Sequence, residues 1–224
     1  MPLRKKETIV SFLSGTVVVV DFRRPVQALV PGAQGRILAV LAETTGELSL
    51  RTTARLAGVS PAQASRVLPQ LVRLGIVERR DAPPTALFRF VQDNVASQFV
   101  HALSRSRDRV LAELGRRTET LPVRPLSVII FGSLARGDAD EDSDIDAVFV
   151  RSGAPEDVNW ASSVDDWLQF AHRLTGNRVE VIEVDEADIG RLLRSRKPLW
   201  NDILREGEVV FGAGLDELKG MRSA

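Results

Sequence analysis

At about residue 122 the apolar residues of this 224-residue chain change their period, and no single regular architecture accommodates both halves. Before that point they recur mostly every three or four residues, as on the buried stripe of a helix. After it, unbroken apolar runs such as Val128 to Phe131 alternate with helical segments. Runs of that kind suit strands covered on both faces. The change predicts two domains, and the length agrees with one or two. The boundaries it suggests are 1–92, a connecting helix over 93–121, and 122–224.

Local chemistry fills in the first half. Residues 8–30 carry a β-branched run, Thr16 to Val20, beside Gly15, and read as a short hairpin. From Gly35 the period is helical, with Ile37, Leu38, Val40 and Leu41 on one side and Gly46 beyond the end. A second helix spans about 50–57 and is followed by Gly58, suited to a left-handed stop. Ser60 can cap a third helix, and Pro61 fits its first position, where a missing N–H costs nothing. That helix, about 61–74, turns Ala64, Val67, Leu68 and Leu71 inward. Pro69 lies inside it, removing one backbone bond, so a kink or a shortened helix is expected. Strands over 76–80 and 86–91 follow, joined by a polar turn at 81–85. Residues 94–117 read as one helix, with Val95, Phe99, Leu103, Val110, Leu111 and Leu114 on one side.

Helix, helix, tight turn, helix and hairpin is an order that resembles the winged helix-turn-helix family of bacterial regulators, carried by Thr53 to Ser60, Ala64 to Leu68 and Leu74 to Arg79. The resemblance implies that helix 61–74 enters the major groove of duplex DNA while the hairpin touches the backbone. Arg51, Gln63, Ser65, Arg66, Gln70, Arg73, Arg79 and Arg80 are the expected DNA-contacting residues; Arg55 and Arg89 share their outward faces. In such proteins the connecting helix often builds a homodimer interface.

The second half carries the chemistry. A buried strand over 126–131 runs into Gly132-Ser133, and an acidic stretch leads to Asp144-Ile145-Asp146 at the start of another strand. Alternation places Asp144 and Asp146 on one side. Two carboxylates side by side, with no basic residue between them, call for a cation, and their hard oxygens suit Mg²⁺. Gly132-Ser133, ten residues, then Asp144-x-Asp146, within Gly132-Ser-x-Ala-Arg136-Gly137, resembles the DNA polymerase β-like nucleotidyltransferases, most closely their minimal stand-alone members. The resemblance covers about 122–212 and implies a C-terminal domain with a small mixed sheet, giving an α+β and α/β two-domain chain overall. It further implies transfer of a nucleoside monophosphate, AMP from ATP, with two Mg²⁺ or Mn²⁺ ions clamping the reacting oxygens. Gly132 and Ser133 would hold the triphosphate and Arg136 would add a phosphate contact. Asp144 and Asp146 would bind both metals. A third carboxylate belongs on the strand over 178–184, where Glu180 matches best by position and Glu183, on the other face, is second. Asp138, Asp140, Glu141 and Asp142 read as a solvated loop, and Trp160 and Trp167 as core.

What the chain lacks narrows the classes further. With no Cys there is no thiol nucleophile, disulfide or Cys-based zinc site, and His101 and His172 are too far apart for metal-ligand spacing. No apolar run approaches the roughly 18 residues of a membrane span, so a soluble cytoplasmic protein is the expectation. The formal net charge of zero is a cancellation. Residues 1–92 hold 13 basic and 6 acidic residues, +7; 93–121 carry +1; and 122–224 hold 12 and 20, −8. A basic first half suits a polyanion and an acidic second half suits metal ions.

Small family members often act as antitoxins that modify a partner toxin, so a protein acceptor of that kind, with DNA-bound autoregulation, is the preferred expectation. A small-molecule acceptor is the alternative substrate. The alternative function is a DNA-binding regulator whose second domain only senses nucleotide or docks a partner.

Overall fold

The computed structural model describes residues 4–7, 21–152 and 158–221. Most of the hairpin expected over 8–30 lies outside the described residues. Its described end, Pro25–Leu29, is helix α1 instead. Contacts divide the chain into a helical unit, residues 24–106, and a second unit formed by 107–221 together with 4–7 and 21–23.

In the helical unit, α2 (Gly32–Glu43), α3 (Leu50–Leu56) and α4 (Pro61–Arg73) enclose one core with α1. Ile37, Leu41, Leu68 and Leu71 are fully buried there, at the spacing their sequence predicts. Each N-terminus has a reason. Ser49 accepts from Thr52 N to start α3, and Ser60 and Gln63 form a reciprocal capping box on α4. Gly58 and Gly75 take positive φ (+59 and +70) just beyond α3 and α4, where other residues would be strained. A three-stranded sheet completes the unit, in the order β2 (Leu48–Ser49), β4 (Thr85–Phe90), β3 (Val77–Ala82). The β2 strand is too short to leave a signal in sequence.

Pro69 does not shorten α4, which continues to Arg73. Its position is exposed, on the side away from Leu68 and Leu71. Water can therefore solvate the Ser65 carbonyl that Pro69 leaves without a helical donor.

The expected connecting helix is two helices, α5 (Val95–Ser104) and α6 (Ser106–Glu119), parted at Arg105. Ser104 Oγ donates to the His101 carbonyl, a local bond of the type that competes with helix continuation. The break splits the predicted stripe. Val100 and Leu103 pack on the helical unit, Val110 and Leu114 enter the core of the second, and Val95 and Phe99 stay exposed.

The second unit is a five-stranded mixed sheet in the order β1 (Arg4–Glu7), β7 (Val179–Asp185), β6 (Ile145–Arg151), β5 (Ser127–Phe131), β8 (Glu208–Gly212). Among the described strands of this sheet, only β6 and β7 run parallel. Helix α7 (Gly132–Arg136) links β5 to the turn before β6, and α8 (Val158–Thr175) makes the parallel crossover to β7. One sheet face packs Val128, Ile130, Ala147, Phe149 and Val181 against α6 and α8; Trp160 and Trp167 lie in that core, both edge-on to Phe149. The other face packs Ile129, Val148, Val150, Ile182 and Val184 against α9 (Glu186–Arg194), α10 (Pro198–Glu206) and α11 (Leu215–Gly220). The boundary expected at residue 92 groups residues 4–7 and 21–23 with the helical domain. The structure pairs β1 with β7, and Phe22 enters the core of the second unit.

Candidate functional site

The geometry of the second unit converges where β5 ends and β6 and β7 begin. Phe131 is the register partner of Asp146 on β5 and β6, and Asp146 that of Glu180 on β6 and β7. Asp146 and Glu180 are thus cross-strand neighbours on the face that carries Val148 and Ile182. Asp144, two residues earlier, shares that face. Glu183 pairs in register with Phe149 on the other face, where Trp160 Nε1 donates to its carboxylate. Of the two glutamates weighed from sequence, Glu180 is the one beside Asp146.

Gly132 opens the turn in a left-handed conformation, φ +71, and a Cβ there would lie 2.6 Å from Asp146 Oδ2. Any other residue would be strained and would drive the carboxylate away. The sequence needs glycine here because the chain passes over a side chain of the next strand. Ser133 follows in α7, half-buried, and its carbonyl accepts from Asp138 N at 3.0 Å. Gly137 closes α7 at φ +80.

Three side chains brace the turn. Arg107 of α6 donates to the carbonyls of Leu134 (2.8 Å) and Ala135, which end α7, and pairs with Glu208. Arg136 lies between Glu206 (2.8 Å) and Asp138 (3.2 Å); the Glu206 bond, first, and the Asp138 bond raise its pKa above the ordinary guanidinium value. Buried Asn177 donates to the carbonyls of Asp140 (3.2 Å) and Ser143 (2.8 Å), fixing the loop that delivers Asp144. Within that loop Ser143 Oγ donates to Asp140 Oδ1 at 2.7 Å, and this bond holds the Asp140 carboxyl below its usual range. Asp138, Glu141 and Asp142 are exposed, as expected of a solvated loop. Arg107 and Asn177 left no mark in sequence, since their partners lie tens of residues away.

Electrostatics hold a correction. No basic residue lies between Asp144 and Asp146 in the sequence, but one reaches Asp144 from the chain entering the next strand. Arg178, just before β7, grips Asp144 with two bonds (Nε–Oδ1 3.0 Å, Nη2–Oδ2 2.6 Å) and reaches Glu180 Oε1 at 3.3 Å. It stands across the strand gap from Asp144, out of sight in a pattern search that looks only between Asp144 and Asp146. Among the described residues no three His, Cys, Asp or Glu side chains gather into a ready-made metal cluster. The donors nonetheless fit a hard divalent cation in kind, being carboxylate oxygens that share one sheet face.

In the helical unit, the outward face of α4 presents Ser65, Arg66, Gln70 and Arg73, all exposed, and α3 presents Arg51. Gln63 is partly committed, its Oε1 accepting from Ser60 N at 2.9 Å. Arg66 Nε donates to the Ala62 carbonyl at 3.3 Å. On the hairpin, Arg79 pairs with Asp81 (2.8 Å), Arg80 with Glu47 (Nε–Oε1 2.9 Å) and Arg89 with Glu78 (2.7 Å). The Glu47 bond raises the Arg80 pKa, and the same bond lowers that of Glu47. Exposed pairs of this kind hold weakly, so a phosphate can compete for these arginines.

Residues 35–81 match the family model of the IclR helix-turn-helix domain, and residues 109–201 that of the nucleotidyltransferase domain. The chain therefore fuses a helix-turn-helix domain to a nucleotidyltransferase domain. Among solved structures it is similar to a toxin–antitoxin with AMP-PNP, at 17% identity over 49% of this chain and 77% of the other, with a TM-score of 0.32. It is also similar to human N-acetylserotonin methyltransferase in complex with SAM, at 16% identity over 39% of this chain, with a TM-score of 0.24. It spans 28% of that enzyme's length. No curated protein matches.

Proposed function

We propose that this fusion transfers a nucleoside monophosphate from an NTP, AMP from ATP, to a protein acceptor and binds duplex DNA through its helix-turn-helix. The reading rests on one observation above others: Asp146 and Glu180 are register neighbours, Asp144 shares their face, and Gly132 leaves open the space that the Asp146 carboxylate fills.

Asp144, Asp146 and Glu180 would hold Mg²⁺ or Mn²⁺, which when bound supplies charge stabilisation at the transferring phosphoryl group. The chain's own part is positioning. The Gly132-Ser133 turn brings backbone beside the carboxylates with no side chain in the way. Arg107 and Arg136 keep that turn in place, so that little reorganisation is needed at the moment of transfer. Arg136, engaged by Glu206 and Asp138, would have to share its guanidinium to reach a phosphate. Glu180, the register partner of Asp146 and mostly buried, would assist the acceptor hydroxyl.

Incubation of the full chain with Mg²⁺ and α-labelled NTPs, with and without lysate or the product of the neighbouring gene, tests the transfer. Label should move to an acceptor protein and be lost in Asp146→Asn. Retained nucleotide binding with no transfer to any acceptor would replace this reading by a nucleotide-sensing regulator. For DNA, affinity for the upstream region of its own gene should fall steeply with salt. A flat salt response, or no binding at low salt, would remove the DNA half of the proposal.

A further inference from the structure

Arg178 is not among the residues to which the transfer reading gives a role, yet it makes two hydrogen bonds to one of the candidate metal-holding carboxylates. Its guanidinium makes a two-bond fork on Asp144 and touches Glu180 at 3.3 Å. The pairing follows from register. Ile145 faces Val179 on the parallel strands, and Ile145 N donates to the Arg178 carbonyl, so the residues just before them, Asp144 and Arg178, emerge side by side. Alternation then places Arg178 and Glu180 on the same sheet face as Asp144 and Asp146.

Burial is uneven within the set. The Glu180 side chain is only 10% exposed and that of Asp144 32%, whereas Arg178 is 52% exposed. A half-buried set of like charges is costly without an opposite charge nearby. A long, half-exposed arginine can supply that charge and still swing into water at small cost.

We propose that Arg178 is an intramolecular counter-cation for this site: it offsets Asp144 and Glu180 and holds their carboxylates together before a divalent cation arrives, and it leaves them when the cation takes its place. The inference rests on the metal-dependent reading above and adds a positioning residue that sets the affinity for the ion. Metal entry is then an exchange of one cation for another, so the protein without nucleotide holds metal weakly.

The test measures Mn²⁺ binding to the full chain, without nucleotide, from the electron paramagnetic resonance signal of the free ion. Arg178→Gln should bind Mn²⁺ about tenfold more tightly than the parent, because the competing charge is gone. Arg178→Lys should fall between them, since an ammonium lacks the planar fork that spans two acceptors. Arg173→Gln, which removes an exposed arginine of α8, should change binding by less than about twofold, as expected of a solvent-screened charge. Thermal melts give a second readout: Arg178→Gln should melt lower than the parent without metal and recover most of the difference in saturating Mn²⁺.

Unchanged or weaker binding by Arg178→Gln, with the parent binding Mn²⁺ and Asp146→Asn not, would overturn the counter-cation role and leave the metal-dependent reading standing. Equal tightening by Arg173→Gln would overturn it too, reducing the effect to net charge. Absence of Mn²⁺ binding in every variant, with or without ATP, would overturn both.

Discussion

Single residues fix the working parts of this molecule where two constraints fall on one atom. Gly132 is the clearest case, because both its φ of +71 and the 2.6 Å approach of Asp146 Oδ2 exclude a side chain. Gly132→Ala is expected to lower stability by about 1–3 kcal/mol and to weaken Mn²⁺ binding through displacement of Asp146. Denaturant unfolding and metal titration would measure the two effects. A variant with parental metal affinity would show that Asp146 does not depend on the turn. Ser143 acts on a neighbour's charge. Its hydroxyl bond depresses the Asp140 carboxyl, so the stabilisation is present above the ordinary carboxylate range near about pH 4 and is lost as pH falls through the depressed value. Ser143→Ala should therefore be less stable than the parent at neutral pH, with the gap closing in acid. A gap that persisted at low pH would mean that the hydroxyl acts through pH-independent contacts, such as the bond it accepts from Asp140 N at 3.0 Å.

At the scale of elements, α4 shows how context overrides propensity. Pro69 sits on its exposed side and the helix continues for another turn. Restoring the missing backbone bond in Pro69→Ala should stabilise the helical unit by about 1–3 kcal/mol, provided no other contact depends on the ring. A far-UV circular dichroism melt that is unchanged or lowered would show that the bond is not what limits α4. The connecting segment teaches the converse. Its apolar period continues through Arg105, but the helix does not, because a period records which faces are apolar and not whether the backbone is continuous. The parallel pair β6 and β7 adds the register that sequence cannot supply. It puts Glu180, and not Glu183, beside Asp146, and brings Arg178 to Asp144.

For the whole molecule, two units with their own buried cores, one in the helical unit and one on each sheet face of the second, underlie one chain with opposed charges. Leu68 is fully buried in the helical unit, whereas all three tryptophans, Trp160, Trp167 and Trp200, are buried in the second. Leu68→Ala should cost about 2–5 kcal/mol and lower the transition seen by circular dichroism while leaving the tryptophan fluorescence midpoint in place. A common shift in both signals would show that the cores melt as one. Much of this organisation was legible in the sequence. The apolar period marked the helices beginning at about Gly35, at about 50–57 and at about 61–74; Ser60 and Pro61 marked a helix start; and Gly132-Ser133 with Asp144-x-Asp146 marked the turn and the two strands around it. These are local signals, set by residues within a turn or two of one another. The tertiary structure alone decided what depends on distant partners: the attachment of β1 to β7, the bracing of α7 by Arg107, and the grip of Arg178 on Asp144. Sequence specifies which groups a segment offers. Only the packing of strands against one another decides which charge each group meets, because in a sheet the neighbours are chosen by register and not by position along the chain.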